Sequence, residues 1–303
     1  MPCWTSMWLE RLIDLAYASG VGGCSTTRKH IAQLLNDHFS PSRPVDPSHI
    51  VLAAGGSFAL TALIDQICDP GDAILIAAPY WAGLDIAISI HSRASVIPVH
   101  IPLDKFFQPE SVVYYEEALL RSAPARVKGV LICNPHNPLG HLSKDFGCNG
   151  IRVTNTALQM SAALSVHSQV STLSTFIASN VLLNPEVVDE VVSHGGLRCR
   201  ESYEIVRSFL EARMMDFIPV HYGVFVFARL ANLSGTDEEA ELQRCLKQRG
   251  VSVSTGTSYH FAQPGWFRIC YGMPRAELQK GLERLDKGVN DYLQRSVSAQ
   301  GDN

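Results

Sequence analysis

The chain has no C-x-x-C pair and no tight Cys/His cluster, although eight cysteines are scattered from Cys3 to Cys270. That spacing excludes a zinc ribbon and a dithiol redox motif, and it reads as buried, reduced thiols in a cytosolic protein. No apolar run approaches the roughly 18 residues of a membrane-spanning helix. No basic segment followed by an apolar stretch opens the chain, so a signal peptide is not expected and a cytoplasmic location is. Positive charge is not in excess: 25 Lys and Arg face 29 Asp and Glu, for a net charge of −4, with the signs interspersed. A nucleic-acid footprint is therefore absent. Internal repeats and low-complexity linkers are missing too. What remains is 303 residues, 46% hydrophobic and 18% charged. That is enough for one large domain or two smaller ones with a sizeable core. The expected partner is a small molecule or another protein.

Strand and helix patterns alternate over the first half. Ile31, Leu34, Leu35 and Phe39 recur at helical spacing and predict a helix over 26–39. "IVLAA" reads as a short buried strand, and "GGS" opens a second helix with Leu60, Leu63, Ile64 and Ile67 on one face. "DPGD" is a turn. "AILIAA", "ASVIPVH" and "VKGVLIC" are further strands, with helical stretches between them and over 109–121. Continuous apolar strands alternating with helices indicate an α/β domain with a mostly parallel sheet. After Arg152 the pattern changes. Residues 157–181 read as Ser- and Ala-rich helix, and 185–214 as helix broken by Gly195-Gly196. "GVFVFARL", "VSVST" and "WFRICYG" read as strands, "DEEAELQRCLKQRG" as a helix ending at a glycine cap, and 274–295 as a terminal helix. This is an α+β tail.

Ligands of such sheets bind at the carboxyl ends of the strands. Here those ends carry "GGS", "PYW" and "NPHNPLG". Gly56 and Ser57 enter a helix, whose free N–H groups and positive dipole end suit an anion; the plainer reading is a tight strand–helix turn. Tyr80 and Trp81 offer core packing or a flat ring for stacking on a flat ligand. Asn137 stands in the second of two Asn-Pro steps, either a rigid turn or a donor to an oxyanion. Lys144 is a solvated charge unless its surroundings lower its pKa, and Arg152 eight residues on suits a bound phosphate. Arg268 lies inside an apolar strand pattern, so it calls for either a structural ion pair or a bound carboxylate. A cysteine hydrolase built from Cys133 or Cys148 with His136 or His141 is disfavoured, because no oxyanion-hole signature accompanies them.

Together these segments resemble the class I/II aminotransferases of fold type I, which use pyridoxal phosphate. The match is nearest to fungal 1-aminocyclopropane-1-carboxylate synthase-like proteins. "VLAAGGSFALTAL", "CDPGDAILIAAPYWAGLD", "VKGVLICNPHNPLG", "LSKDFGCNGIRV", "GVFVFARL" and "QPGWFRICYG" carry the resemblance in chain order. It implies an N-terminal arm over 1–25, a large cofactor domain over 26–200 and a small α+β domain over 201–303. It also implies that Lys144 carries the cofactor and moves the proton at the substrate α-carbon. Arg152 would bind the phosphate with Gly56 and Ser57. Trp81 would stack on the pyridine ring, with Tyr80 the neighbouring candidate. Asn137 would bond the ring hydroxyl oxygen, and Arg268 would hold the substrate carboxylate. "YASGVGG" resembles the segment that lends a tyrosine, here Tyr17, to the other subunit of a homodimer. The implied substrate is an amino acid or keto acid, no metal is expected, and a role in fungal secondary metabolism is in keeping. Amino transfer, 1-aminocyclopropane-1-carboxylate synthesis and carbon–sulfur lysis share the early steps, so the general motifs leave the three open.

The pattern breaks between Gly140 and His141. Family members carry several dozen residues there, with sheet strands and a "DEIY"-like motif whose Asp meets the pyridine nitrogen. Here Gly140 is followed at once by "HLSK". The large domain is thus expected to lack strands and to expose a sheet edge or leave part of the core unfilled. A shortened gene product, a degenerate copy without catalysis and a compact active variant are the three explanations.

Overall fold

A computed structural model describes residues 22–122, 126–142 and 170–301. In chain order the helices are α1 (Ser25–Phe39), α2 (Gly56–Ile67), α3 (Gly83–Ser89), α4 (Ser111–Arg121), α5 (Thr172–Ile177), α6 (Pro185–Ala212), α7 (Thr236–Gln248) and α8 (Arg275–Gly301). The strands are β1 (Ala73–Ala78), β2 (Ser95–His100), β3 (Val127–Leu131), β4 (Phe225–Arg229), β5 (Ser254–Thr255) and β6 (Trp266–Cys270). They fall into two compact units. One takes its described residues from 22–71, 86–94 and 170–195, the other from 72–85, 95–142 and 196–301.

The first unit is helical. α1 buries Thr27 and Ala32, and the Thr27 hydroxyl lies 2.7 Å from Ser179 Oγ, just beyond α5. α2 buries Leu63 and Ile64, as their spacing predicts. Before it, "IVLAA" makes no strand: Leu52 N–H reaches Gly22 and Gly55 N–H turns back to Ala53, and no neighbouring strand runs alongside among the described residues.

Both sheets belong to the second unit. The parallel sheet has the order β2-β1-β3. β1 is central and buries all six of its residues, which is why "AILIAA" carries no polar side chain. Asp72, just before it, has no exposed surface and is held by Arg126 at 2.8 Å and Lys128 at 3.4 Å. β3 alternates between half-buried and exposed residues, with Val130 48% exposed, and bears no strand on its outer side among the described residues. That is the open edge expected from the break after Gly140.

The antiparallel sheet has the order β4-β6-β5, with Phe227 opposite Arg268. "VSVST" contributes only Ser254 and Thr255 to it. α7 ends in the expected glycine cap: Gly250 takes φ +73°, its N–H reaches Lys247, and Val251 N–H reaches Leu246. Phe267, Ile269, Leu242, Leu246 and Leu285 fill the core beneath this sheet. A second core joins the two sheets, with Leu75, Val99 and Leu139 packed against Phe227 and Trp266.

Gly195-Gly196 does not interrupt α6, which runs unbroken for 28 residues. Two glycines cost about 1 kcal/mol each relative to alanine, less than the stabilisation that a long amphipathic face supplies. A methyl group at exposed Gly196 would meet nothing within 4 Å. Gly196→Ala should therefore raise the unfolding free energy by about 0.5–1 kcal/mol, read as a higher urea midpoint at unchanged slope.

Candidate active site

The carboxyl ends of β1 and β3 meet the start of β6 within the second unit. After β3, the segment from Asn134 to Gly140 turns back on itself, with cis peptide bonds before Pro135 and Pro138. Gly140 N–H returns to the His136 carbonyl at 2.8 Å, and the Gly140 carbonyl accepts from the amides of His221 and Tyr222. Gly140 needs to be glycine: φ is +66°, and a methyl group there would lie 2.7 Å from Val220 Cγ1. Leu139 anchors the turn with no exposed surface. Asn137 is thereby held opposite β6, where its Oδ1 accepts from Arg268 Nη1 at 3.2 Å.

Arg268 is half-buried. Its guanidinium lies 4.1 Å from the centre of the Phe225 ring and 5.3 Å from that of Tyr259. Its Nε is buried and unbonded, and among the described residues no carboxylate makes an ion pair with it. The structural ion pair that was one reading of this arginine is therefore not found. A guanidinium kept from water with aromatic walls and an unused donor suits a planar carboxylate.

Tyr80 and Trp81 divide the roles that sequence left shared. Tyr80 has no exposed surface, and its hydroxyl donates to Asp85 Oδ1 at 2.7 Å. Burial, then the bond and charge of Asp85, push that hydroxyl's pKa far up. Trp81 is 42% exposed, and its ring covers Gly83 closely enough to leave no room for a side chain there. Trp81 is thus the aromatic available for stacking. Gly56 and Ser57 are exposed at the first turn of α2, in the other unit. Gly55 takes φ +98° before them, and helix geometry leaves the first amides of α2 without intrahelical partners. Tyr17, Lys144 and Arg152 lie outside the described residues. So does Cys148, while the Cys133 thiol donates to the Pro135 carbonyl at 3.6 Å and His136 packs against Phe106 and Phe107.

Sequence reasoning missed Asp85, Tyr259 and His260. His260 Nε2 donates to Asp85 Oδ2 at 2.8 Å, and its ring stacks on Tyr80 with centroids 4.6 Å apart. The only signal was the presence of site-type residues in "PYWAGLD" and "TSYHF", 175 positions apart and joined only by the tertiary fold. For pyridoxal phosphate the described residues of the second unit supply part of a fitting set: an exposed indole, an asparagine and an arginine with an unused donor. Asp85, the carboxylate four residues after Trp81, is engaged by Tyr80 and His260. Among the described residues no group of three His, Cys, Asp or Glu side chains could hold a metal, and no helix is long and apolar enough to cross a membrane.

The fold is that of the fold type I aminotransferases. An aspartate aminotransferase of Thermus thermophilus superposes with a TM-score of 0.76 at 20% identity, covering 94% of this chain and 92% of that one. An aromatic aminotransferase of Pyrococcus horikoshii gives 0.76 at 13% identity, covering 96% and 92%. The family model "Aminotransferase class I and II" matches residues 18–142 and 142–285, and the chain belongs to that family. The family depends in general on pyridoxal phosphate. Among named relatives, "Probable aminotransferase tcpI" of Claviceps purpurea is 40% identical over 350 residues, covering 92% of this chain and 82% of its own. "Probable aminotransferase sirI" of Leptosphaeria maculans is 35% identical over 350 residues, covering 92% and 84%. "1-aminocyclopropane-1-carboxylate synthase 9" of Arabidopsis thaliana is 25% identical over 359 residues, covering 94% and 76%. The family match divides at Leu142. An alignment of 350 positions that spans 92% of a 303-residue chain leaves roughly 70 positions where this chain has no residue.

His136 gives this region a pH signature. Burial, then the nearby His141, lowers its pKa from 6.5 to about 3. Burial likewise lowers that of His141, opposed by its bond to the Pro219 carbonyl at 2.5 Å. Unfolding lets His136 take up a proton anywhere between those two values. Its contribution is thus present above about 6.5 and is lost as pH falls toward 3. Between pH 7 and 5, urea-unfolding free energy should fall more for the wild type than for His136→Gln, by up to about 1.4 kcal/mol per pH unit.

Proposed function

We propose that the chain acts as a pyridoxal-phosphate-dependent aminotransferase on an amino acid and a keto acid, in a fungal secondary-metabolite pathway. The observation that carries this reading is Arg268: a half-buried guanidinium with no acidic partner among the described residues, bonded to Asn137, whose loop follows the carboxyl end of β3, where parallel sheets receive ligands. Pyridoxal phosphate supplies an electron sink for the charge released at the substrate α-carbon. Lys144 would hold it and move the proton at that carbon. Arg152, Gly56 and Ser57 would grip the phosphate, Trp81 would cover the ring, and Asn137 would bond its hydroxyl oxygen. Arg268 would fix the substrate carboxylate so that the α-carbon faces Lys144. The homodimer with Tyr17 in the second subunit's site, the cytoplasmic location and the division at about residue 200 belong to the same reading.

A second reading has its own observation. The division of the family match at Leu142, with the pyridine-nitrogen Asp among the residues expected at the break, favours a catalytically impaired remnant. Synthase or lyase chemistry remains the alternative within the first reading, since relatives bear synthase names. The two readings separate spectroscopically. With added pyridoxal phosphate the wild type should develop a visible band that borohydride fixes onto Lys144, and Lys144→Ala should lack it. Arg268→Ala should keep the band and raise KM for the amino acid by roughly 100-fold, the cost of a lost charge-assisted pair. A band without turnover on any amino-acid and keto-acid pair would favour the remnant, and no band would overturn cofactor binding.

A further inference from the structure

The loop after β1 and the turn before β6 are joined by a polar ring that the roles of Trp81, Asn137 and Arg268 leave unused. Asp85 accepts from the Tyr80 hydroxyl at 2.7 Å through one carboxylate oxygen and from His260 Nε2 at 2.8 Å through the other. The His260 imidazole lies nearly parallel on the Tyr80 ring, 22° between planes. Each of the three side chains thus touches the other two. The backbone closes the same joint, with Tyr80 N–H donating to the Tyr259 carbonyl at 3.0 Å. His260 sits at φ +59°, a conformation unfavourable for a non-glycine residue, which its bond to Asp85 and its stacking on Tyr80 help to offset.

This joint lies between two site elements that come from different sheets. Trp81 directly follows Tyr80. Tyr259 directly precedes His260, and its ring is one of the two aromatic walls of Arg268. No side-chain bond ties Trp81 to Arg268 among the described contacts, so the ring of Tyr80, Asp85 and His260 is a side-chain link between their segments, beside the Tyr80–Tyr259 backbone bond and the core that the two sheets share. We propose that Asp85 and His260 are positioning residues of the carboxylate site, holding the Trp81 loop and the Tyr259 wall in register with the Arg268 guanidinium. The proposal rests on Arg268 being a carboxylate clamp. A merely stabilising clasp makes a different forecast: lower melting temperature with unchanged ligand affinity in the folded protein.

The test is calorimetric titration of the full chain with maleate, a small dicarboxylate with no amino group to transfer, alongside melting temperatures. Asp85→Asn and His260→Ala should weaken maleate binding roughly tenfold, the size expected for a misaligned charge-assisted contact. His260→Gln keeps an N–H donor and should recover part of the loss. Tyr80→Phe removes one bond of the ring and should shift affinity the same way by less; with His260→Gln it carries the test where the harsher variants do not fold. Wild-type affinity in the folded Asp85, His260 and Tyr80 variants would overturn the positioning role and leave the clamp standing. If the wild type binds no maleate, or Arg268→Ala binds it equally well, the clamp falls and the positioning role with it.

Discussion

Leu139 is the side chain on which the candidate site depends. It has no exposed surface and packs into one core with Leu75 of the parallel sheet and with Phe227 and Trp266 of the antiparallel sheet. Full burial of a leucine is worth about 1.5–3 kcal/mol, and moving it would open a cavity besides. Gly140 turns the chain immediately afterwards, in a conformation and a space that exclude a side chain. With Leu139 sunk in the core and Gly140 bonded to His221 and Tyr222, Asn137 has little freedom and faces Arg268. A functional contact between residues 131 positions apart thus follows from apolar packing rather than from any attraction between them.

Electrostatics then give this placement its use. An arginine enclosed by Phe225 and Tyr259 has lost part of its hydration, and its one recorded polar bond among the described residues is to a neutral amide. For a guanidinium so placed, part of the desolvation cost of pairing with an anion is already met by folding. The contrast with Asp72 is instructive. That carboxylate is fully buried too, but Arg126 and Lys128 neutralise it, and its position at the start of the central strand gives it a structural role.

The break beyond Gly140 sits beside this machinery. The family match divides at Leu142, and the relatives carry roughly 70 further positions in alignment. The residue at the break is nonetheless well bound: His141 donates to the Pro219 carbonyl, its own carbonyl accepts from His136 N–H, and its ring stacks on Phe107. The loop carrying Asn137 therefore keeps its shape up to the point where the relatives diverge. Among the described residues β3 stands at the edge of the parallel sheet and exposes Val130, while the Asn137–Arg268 pair is in place.

Much of the fold was legible because local patterns carry it. "AILIAA" reads as a buried strand and is one, "VKGVLIC" and "WFRICYG" contain β3 and β6, and Gly250 marks the end of α7. The misreadings share one cause. "IVLAA" has strand composition but no neighbouring strand among the described residues, and Gly195-Gly196 has breaker composition inside a helix whose length outweighs it; both outcomes depend on more than the local sequence. Among site residues, the sequence by itself determined the chemical kit, including the family, the lysine and arginine candidates, and the break that distinguishes this chain. Only the tertiary structure decided which aromatic faces outward, Trp81 rather than Tyr80. It alone left Arg268 without an acidic partner among the described residues and joined Asp85 to His260. Those outcomes turn on burial and on contacts between chain segments more than a hundred residues apart, and no local pattern encodes either.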